Sequence, residues 1–251
     1  MSAEPRLETR ALCRSFGALR AVRDIDFQLN AGARHALIGP NGAGKTTFIN
    51  LLTGVLSPSA GCVLLGGRDI TATTQAERVK LGVARTFQIN RLFRGLSVLE
   101  NVCMAIAERK GVASSMLSPV GRRSDVVGEA MALLETLKLA DVASHRVSEL
   151  PYGRQRLVEL AITIGLKPEV LLLDEPAAGV PSAESHIILD AIERLPAHIA
   201  VLIIEHDMDV VFRFARTVTV MVSGAVFATG TPREIEANPE VRAVYLGVGH
   251  G

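Results

Sequence analysis

The sequence predicts an α/β fold in which a mainly parallel sheet carries helices and a helical lobe is inserted in the middle of the chain. Two observations predict the sheet. Short, wholly apolar runs alternate with helical patterns after residue 168, and a glycine-rich turn joins a strand-like run to a helix near residue 40. A third observation predicts the lobe, because apolar residues recur at helical spacing between residues 96 and 165.

The first third contains three strand-like runs, a helix and a hairpin strand. The runs cover residues 7–12, 25–29 and 35–38, and the last of them leads into the glycine-rich turn. Residues 46–54 have the pattern of a helix closed by glycine. Residues 62–65, followed by Gly66-Gly67, have the pattern of a hairpin strand.

The middle third is predicted to be helical. Leu99, Val102, Cys103 and Ile106 recur at helical spacing, as do Met131, Leu134 and Leu137. Between these two patterns, residues 111–124 are rich in Gly, Ser and Pro, which predicts a loop.

The last third returns to alternating strands and helices. Strands are predicted at 170–173, 200–204, 218–222 and 225–229, and helices at 182–195, 208–215 and after Pro232. We therefore predict a single domain over residues 1–251, with an α/β core at 1–88 and 168–251 and a helical subdomain at about 89–167.

Composition narrows the classes of partner. The chain has 27 basic and 26 acidic residues, so it has no general electrostatic field for binding nucleic acid, and no nucleic-acid partner is expected. Three scattered cysteines without CxxC spacing are expected to be reduced. The polar N-terminus predicts no secretory signal, and no apolar run reaches 18 residues. If the protein works at a membrane, another subunit is expected to span it.

The glycine-rich turn has the pattern GxxxxGK[ST]. Its residues are Gly39, Pro40, Asn41, Gly42, Ala43, Gly44, Lys45 and Thr46, followed by Thr47. Small residues let the backbone curl so that successive N–H groups point at phosphate oxygens, and the helix that follows adds its positive N-terminal dipole. Lys45 is expected to contact the β- and γ-phosphates, and Thr46 to offer its hydroxyl to Mg²⁺. The segment predicts a site for ATP and Mg²⁺.

Acidic and polar residues at later strand ends predict the rest of this site. An apolar run ends in Asp174 and Glu175, which predicts an aspartate beside the magnesium shell and a glutamate that polarises the attacking water. His206 follows the next strand and is expected to contact the γ-phosphate. Gln88 is expected to contact Mg²⁺ or the attacking water. Phe16, in the first turn, is expected to stack on adenine.

The glycine-rich turn, Gln88, Asp174-Glu175 and His206 occur in the order and spacing of the ATP-binding subunits of ABC transporters, and the chain resembles that family from about residue 7 to residue 247. The resemblance implies a P-loop NTPase core with an antiparallel β subdomain and an inserted helical subdomain. It also implies a dimer in which each ATP lies between one subunit's P-loop and the other's signature segment.

The signature segment departs from the family pattern. Residues 150–155 read Leu-Pro-Tyr-Gly-Arg-Gln, where the family usually has Leu-Ser-Gly-Gly-Gln. Pro151 replaces the serine that meets the γ-phosphate, but the helix beginning near Gly153 still offers backbone N–H groups to a phosphate. Pro181 replaces a family aspartate. Because both departures act on the opposite subunit's ATP, we hypothesise pairing with a different ATPase subunit, and the alternative of a homodimer stays open.

Other segments resemble the branched-chain amino-acid importer subfamily. They are residues 84–88, 91–93, 174–179, and the tail from 230–232 to 245–247. This resemblance implies import of branched-chain or related amino acids or small organic solutes. It also implies two membrane permease subunits, a periplasmic substrate-binding protein, and a peripheral location on the cytoplasmic face of the membrane. The lipopolysaccharide-export ATPase, which shares the Tyr-Leu-Gly tail, is the alternative.

Three rival functions require other sequence features. DNA-repair ATPases of this family have long coiled coils between the glutamine and the signature, where this chain has only about 60 residues. Tandem translation factors need two ATPase halves and a basic linker. A non-catalytic nucleotide-binding subunit stays open because of Pro151 and Pro181, although Glu175, which such a subunit is expected to lose, is present.

Overall fold

The structure is a computed structural model, and it describes residues 5–86, 92–113, 123–176, 178–180 and 182–247. Its helices, in chain order, are α1 (Lys45–Leu52), α2 (Gln75–Lys80), α3 (Val98–Arg109), α4 (Ser124–Thr136), α5 (Tyr152–Gly165), α6 (Ser182–Glu193), α7 (Met208–Phe214), α8 (Pro232–Ala237) and α9 (Pro239–Gly247). Its strands are β1 (Pro5–Phe16), β2 (Leu19–Asn30), β3 (Arg34–Ile38), β4 (Ala60–Leu65), β5 (Arg68–Asp69), β6 (Val83–Arg85), β7 (Val170–Asp174), β8 (Ala200–Ile204), β9 (Thr217–Val222) and β10 (Ala225–Gly230).

The chain divides into two compact units. The first contains residues 1–85, 169–175 and 196–251, and the second contains residues 86–168 and 176–195. Every strand of the described residues lies in the first unit, with α1, α2 and α7 to α9. The second unit holds α3 to α6. That these units act together as one domain with a core and a helical subdomain stays a prediction.

The larger sheet of the first unit has six strands in the order β10-β9-β3-β8-β7-β6. Its pairings are parallel except at one edge, where β10 forms an antiparallel hairpin with β9. The strands β7 and β8 are buried along their whole length, which explains why their sequences are continuously apolar. The one polar residue in the two strands is Asp174, at the end of β7. Because β3, β7 and β8 are parallel, all three end at the same edge of the sheet.

The smaller sheet of the first unit is antiparallel, in the order β2-β1-β4-β5. Its two long strands form a hairpin that turns at Gly17 and Ala18, and Phe16 pairs directly with Leu19 across the turn. Phe27 of β2 packs edge-to-face on Phe48 of α1, with ring centroids 5.5 Å apart. One continuous core therefore contains buried residues of both sheets and of α1.

The second unit is helical. Residues Val98, Val102 and Ile106 of α3 are fully buried at helical spacing, and so are Val126, Ala130 and Leu134 of α4. Both α3 and the shorter α2 of the first unit begin with a reciprocal capping box, formed by Ser97 with Glu100 and by Thr74 with Glu77. A buried Asn101 fixes the loop before α3, because its amide donates to the carbonyl oxygens of Phe93 and Ser97.

The predicted fold class is confirmed, and the predicted strands and helices all exist, although the ends of the two long strands extend outward by up to six residues. Among the described residues, the elements that were not predicted are α2, α9, the two-residue strand β5, the three-residue strand β6 and two 3₁₀ turns at Ala140–Val142 and Val147–Glu149. The predicted loop at 111–124 lies mostly outside the described residues, which resume at 123.

Candidate nucleotide site

The glycine-rich turn connects β3 to α1. Gly44 is the residue before α1, with a left-handed φ of 96°, and Lys45 is the first helical residue. The backbone curls within the turn, because the Ala43 N–H donates to the Pro40 carbonyl oxygen at 3.1 Å. This geometry places the first turn of α1 at the edge of the sheet, where its backbone N–H groups and dipole are available to an anion.

Two glycines of the turn are fixed by close contact with neighbouring backbone. A Cβ atom on Gly39 would lie 2.2 Å from the Met221 carbonyl oxygen, and one on Gly44 would lie 2.4 Å from that of Ala21. Gly42 also has a left-handed φ, 79°, but a Cβ there would meet nothing within 4 Å. Gly39 and Gly44 are therefore glycines for steric reasons, and Gly42 for its backbone conformation alone.

A cavity of about 520 Å³ lies over this turn. Its lining contains most of the predicted site residues together with neighbours from two hairpins: Phe16, Leu19, Arg20, Ala21, Asn41, Gly42, Ala43, Gly44, Lys45, Thr46, Thr47, Asp174, Glu175, Ile204, Ser223 and Gly224. The lining combines two chemistries. The hairpin tip contributes the apolar side chains of Phe16 and Leu19, and the turn and strand ends contribute a lysine and two carboxylates.

Lys45 supplies a cation at the turn itself. Its Nζ donates to the carbonyl oxygens of Gly39 at 2.6 Å and Pro40 at 3.1 Å, so the side chain folds back over the turn. Burial lowers the pKa of the Lys45 ammonium group, and the negative charges of Glu175 and Asp174 oppose that shift. A half-buried ammonium beside a helix N-terminus is suited to binding a polyanion.

Asp174 is the last residue of β7 and is 3% exposed. One of its carboxylate oxygens accepts a hydrogen bond from Arg85 Nη2 at 2.5 Å, and Arg85 Nη1 donates to the Asn50 side chain on α1 at 2.6 Å. The arginine thereby ties the end of β7 to the helix that follows the glycine-rich turn. The Asp174 carboxylate is buried but compensated, as a buried charge requires.

Glu175 follows Asp174 with an unusual backbone conformation. Its φ is +45°, in the left-handed region that non-glycine residues seldom occupy, and its N–H donates to the Ile204 carbonyl oxygen at 3.0 Å. Its carboxylate lies 3.5 Å from Nδ1 of His206, whose side chain is 70% exposed and therefore accessible to a ligand. The sharp turn points the glutamate out of the strand end while Asp174 stays buried.

A second carboxylate approaches His206 from inside the protein. Glu205 is 3% exposed, its Oε2 lies 4.0 Å from His206 Nδ1, and the same oxygen accepts the His206 backbone N–H at 3.3 Å. The other oxygen, Oε1, is buried without a hydrogen-bond partner among the described residues. Burial raises the pKa of Glu205 to about 7.

The donor set of the cavity fits Mg²⁺. Thr46 offers a hydroxyl and Asp174 a carboxylate, and both line the same cavity. Within the described residues, no group of three or more His, Cys, Asp or Glu side chains forms a metal site by itself. A hard cation that keeps several waters and takes its remaining ligands from phosphates needs only one or two protein oxygens, which is the usual arrangement for Mg²⁺.

The structure brings the predicted residues of the turn together with Phe16, Asp174 and Glu175, and it places His206 beside Glu175. Gly153 lies in the second compact unit, buried in the first turn of α5. Gln88 and Pro181 lie outside the described residues, so their predicted roles stay predictions.

The residues of the site that were not predicted from the sequence are Glu205 and six residues of the cavity lining: Leu19, Arg20, Ala21, Ile204, Ser223 and Gly224. Leu19 carries one signal, because it is a leucine directly beyond a glycine turn. Ser223 and Gly224 belong to the β9–β10 turn and reach the cavity because the Gly224 N–H donates to the Ala43 carbonyl oxygen at 2.9 Å. No local pattern identifies residues so far along the chain from the loop they support. Glu205 is adjacent to His206, but the sequence gives no sign of its burial.

A parallel α/β sheet, a GxxxxGK[ST] turn at the start of α1 and an acidic strand end beside it define a P-loop NTPase. Comparisons with known proteins narrow this class. The family model for "ABC transporter" matches residues 22–178, and the model for "Branched-chain amino acid ATP-binding cassette transporter" matches residues 225–251. The chain belongs to the ABC transporter family, in which it is an ATP-binding, ATP-hydrolysing member.

Individual relatives support the same assignment. The high-affinity branched-chain amino acid transport ATP-binding protein LivG of Salmonella typhimurium is 39% identical over 251 residues, covering 97% of this chain and 98% of LivG. Its counterpart BraF of Pseudomonas aeruginosa is 36% identical over 252 residues, with 97% and 98% covered. These names do not favour the lipopolysaccharide-export alternative.

A solved structure shares the fold. The ADP conformation of an ATP-binding cassette of an ABC transporter superposes with a TM-score of 0.86 at 31% identity, covering 98% of this chain and 100% of the other. Among the helices of the described residues, none is long and apolar enough to cross a membrane.

Proposed function

We propose that this chain hydrolyses ATP to power the import of branched-chain amino acids, or of related amino acids and small organic solutes, through separate membrane subunits. One observation carries the motor part of the proposal. The glycine-rich turn, Lys45, Asp174 and Glu175 line a single cavity although Lys45 and Asp174 are far apart in the chain. The substrate class is supported by the match of residues 225–251 to the branched-chain amino acid transporter model and by the names of the relatives.

Each residue of the cavity has a role set by its chemistry. The backbone N–H groups of residues 39–46 and the Lys45 ammonium bind the phosphate chain, and Phe16 stacks on the adenine. Glu175 orients and polarises the attacking water, for which its outward backbone turn is suited. His206, exposed and adjacent to Glu175, contacts the γ-phosphate. Phosphoryl transfer needs mainly this positioning and charge compensation from the protein.

Magnesium belongs to the same proposal. Thr46 and Asp174 would hold the cation through a hydroxyl and a carboxylate, and Gln88 is a third candidate ligand. When bound, Mg²⁺ neutralises charge on the phosphate oxygens. Arg85 fixes the orientation of the Asp174 carboxylate because its Nη2 donates to one of the two carboxylate oxygens.

The complete transporter requires partners. We propose that the chain forms a dimer with a second ATPase subunit, that Gly153 at the start of α5 presents backbone N–H groups to the ATP of that subunit, and that the dimer docks on two membrane permease subunits. A periplasmic binding protein would deliver the substrate. The chain would lie on the cytoplasmic face of the membrane. Pairing with a different ATPase subunit is favoured by Pro151 and Pro181, because both replace family residues in segments that contact the partner's ATP.

Steady-state ATP hydrolysis tests the motor. We expect the wild-type chain to hydrolyse MgATP, and Lys45→Ala and Glu175→Gln to lose activity by about 10²-fold or more, because each removes a group that acts on the transferred phosphoryl group. Lys80→Ala, on the exposed last turn of α2, is the matched control and should retain full activity. ATP binding by Glu175→Gln should persist, which separates loss of chemistry from loss of folding.

A result against the proposal would be tight ATP binding with no turnover both for the chain alone and for the chain mixed with its partner ATPase and permease subunits. That outcome would favour the non-catalytic alternative. Import is tested in proteoliposomes containing the assembled transporter, where ATP-dependent uptake of leucine, but not of an unrelated sugar, is expected.

A further inference from the structure

The tip of the β1–β2 hairpin presents an exposed apolar pair to the nucleotide cavity. Phe16 is 43% exposed and Leu19 is 66% exposed, and they are direct partners in the strand register on either side of the turn at Gly17. Both side chains line the cavity. Two large apolar side chains held side by side in solvent form a platform, and burial of that platform against a base would be favourable.

One face of the Phe16 ring is already covered. The Arg14 guanidinium carbon lies 4.7 Å from the centroid of the Phe16 ring, within the range of a cation–π contact. Arg14 and Phe16 are two positions apart on β1, so their side chains leave the strand on the same face. This placement allows the stack, at a point where the register of β1 with β2 shifts between Arg14 and Ser15.

Arg14 is itself fixed at its far end. Its Nη1 donates to the Ser57 carbonyl oxygen at 2.8 Å, in the segment that leads into β4. The next residue, Ser15, is fixed in the same way, because its N–H donates to Ser59 Oγ at 3.1 Å. The guanidinium thus joins a fixed backbone segment to an exposed ring at the tip of a hairpin.

From this arrangement we infer that Arg14 is a positioning residue for the nucleobase. It is not part of the cavity lining and acts through Phe16: it stacks on one ring face, restricts the ring's rotation, and leaves the opposite face for the base. The inference rests on the proposed nucleotide-binding function and deepens it. It concerns binding of the base and predicts no change in binding of the phosphates.

Calorimetric binding of two ligands tests the inference. ADP carries a base, and inorganic tripolyphosphate carries the charge without one. We expect Arg14→Ala to weaken ADP binding about two- to fivefold and to leave tripolyphosphate binding unchanged. Phe16→Ala should weaken ADP binding more, by about tenfold, since it removes the stacking surface itself. In ATP hydrolysis, Arg14→Ala should raise KM by the same factor as the ADP dissociation constant and leave kcat unchanged.

Two further variants separate positioning from general stability. Arg14→Lys keeps a cation over the ring and should recover part of the ADP affinity. Arg10→Ala removes an arginine from the same strand that is paired with Glu8, and ADP binding should not change. In the Phe16→Ala background, Arg14→Ala should cause no additional loss, because its effect passes through the ring.

The inference would be overturned by equal loss of ADP and tripolyphosphate affinity in Arg14→Ala, by an additional loss in the Phe16→Ala background, or by unchanged ADP affinity. Failure of the proposed function looks different. In that case the wild-type chain itself would bind neither ligand, or would bind tripolyphosphate as tightly as ADP, and the role of Arg14 would fail with it.

Discussion

Substitution of the buried Glu205 by glutamine should change how the stability of the protein depends on pH. Burial raises the pKa of this carboxyl from its ordinary 4.5 to about 7. Because the folded-state pKa is the higher one, the stabilising contribution of the protonated acid is complete below pH 4.5 and is lost as the pH rises through 7. Glutamine has nearly the same shape and stays neutral, so it removes this dependence.

The magnitude follows from the two pKa values. The gap between 4.5 and about 7 corresponds to about 3 kcal/mol of lost stability at high pH, at about 1.36 kcal/mol per pH unit. Some of this loss is already present at about pH 5, so the wild type should lose about 2–3 kcal/mol between pH 5 and pH 8 that the variant does not lose. For a chain of this length, each kcal/mol shifts Tm by about 2–4 °C.

Thermal unfolding of both proteins at pH 5, 6, 7 and 8 measures the effect. The Tm difference, variant minus wild type, should increase by about 5–10 °C from pH 5 to pH 8. Glu236→Gln, at an exposed position of α8, is the matched control, and its Tm difference should stay constant. A constant difference for Glu205→Gln, or one that falls with pH, would refute the reasoning, because a buried carboxyl that ionises freely has no desolvation cost.

Three further predictions concern the loop, a buried arginine and the helical unit. Gly44→Ala should destabilise the protein by about 3 kcal/mol, because the new Cβ would lie 2.4 Å from the Ala21 carbonyl oxygen. Gly42→Ala, where a Cβ meets open space, should cost only about 1 kcal/mol of stability. Chemical denaturation of both variants measures the two costs, and equal values would contradict the steric argument. Arg78→Met should lower the free energy of unfolding by about 3–5 kcal/mol in the same assay, because the buried guanidinium donates to four carbonyl oxygens. Two of these carbonyls are at the end of α1. A loss of stability below about 1 kcal/mol would show that the carbonyl groups find other partners. The hydrogen bond from Arg109 lowers the pKa of Glu129 to about 2, and Lys167 and Lys110 contribute to the shift. The stabilisation from the ionised Glu129 should therefore be complete above pH 4.5 and be lost as the pH falls towards 2. Glu129→Gln should unfold at a lower temperature than the wild type at pH 7, and the two Tm values should converge near pH 2.

Features that neighbouring residues form could be predicted from the sequence. The residues of the glycine-rich turn follow one another, and their chemistry depends on local backbone conformation, so the sequence alone predicts the phosphate site. The buried strands β7 and β8 were predicted because both faces of each are covered, which makes nearly every side chain apolar. The strand β6 was not predicted because three residues are too few for a periodic pattern.

Tertiary structure decided what surrounds that turn. Leu19, Ser223 and Gly224 join the cavity through hairpin turns and one backbone hydrogen bond, and Glu205 acquires its raised pKa from burial. The glycines at 39 and 44 are obligatory because the backbones of Met221 and Ala21 approach them, which a glycine pattern alone cannot reveal. Sequence determines local conformation and hydrophobic periodicity, whereas desolvation and contact between distant segments exist only after the chain has folded.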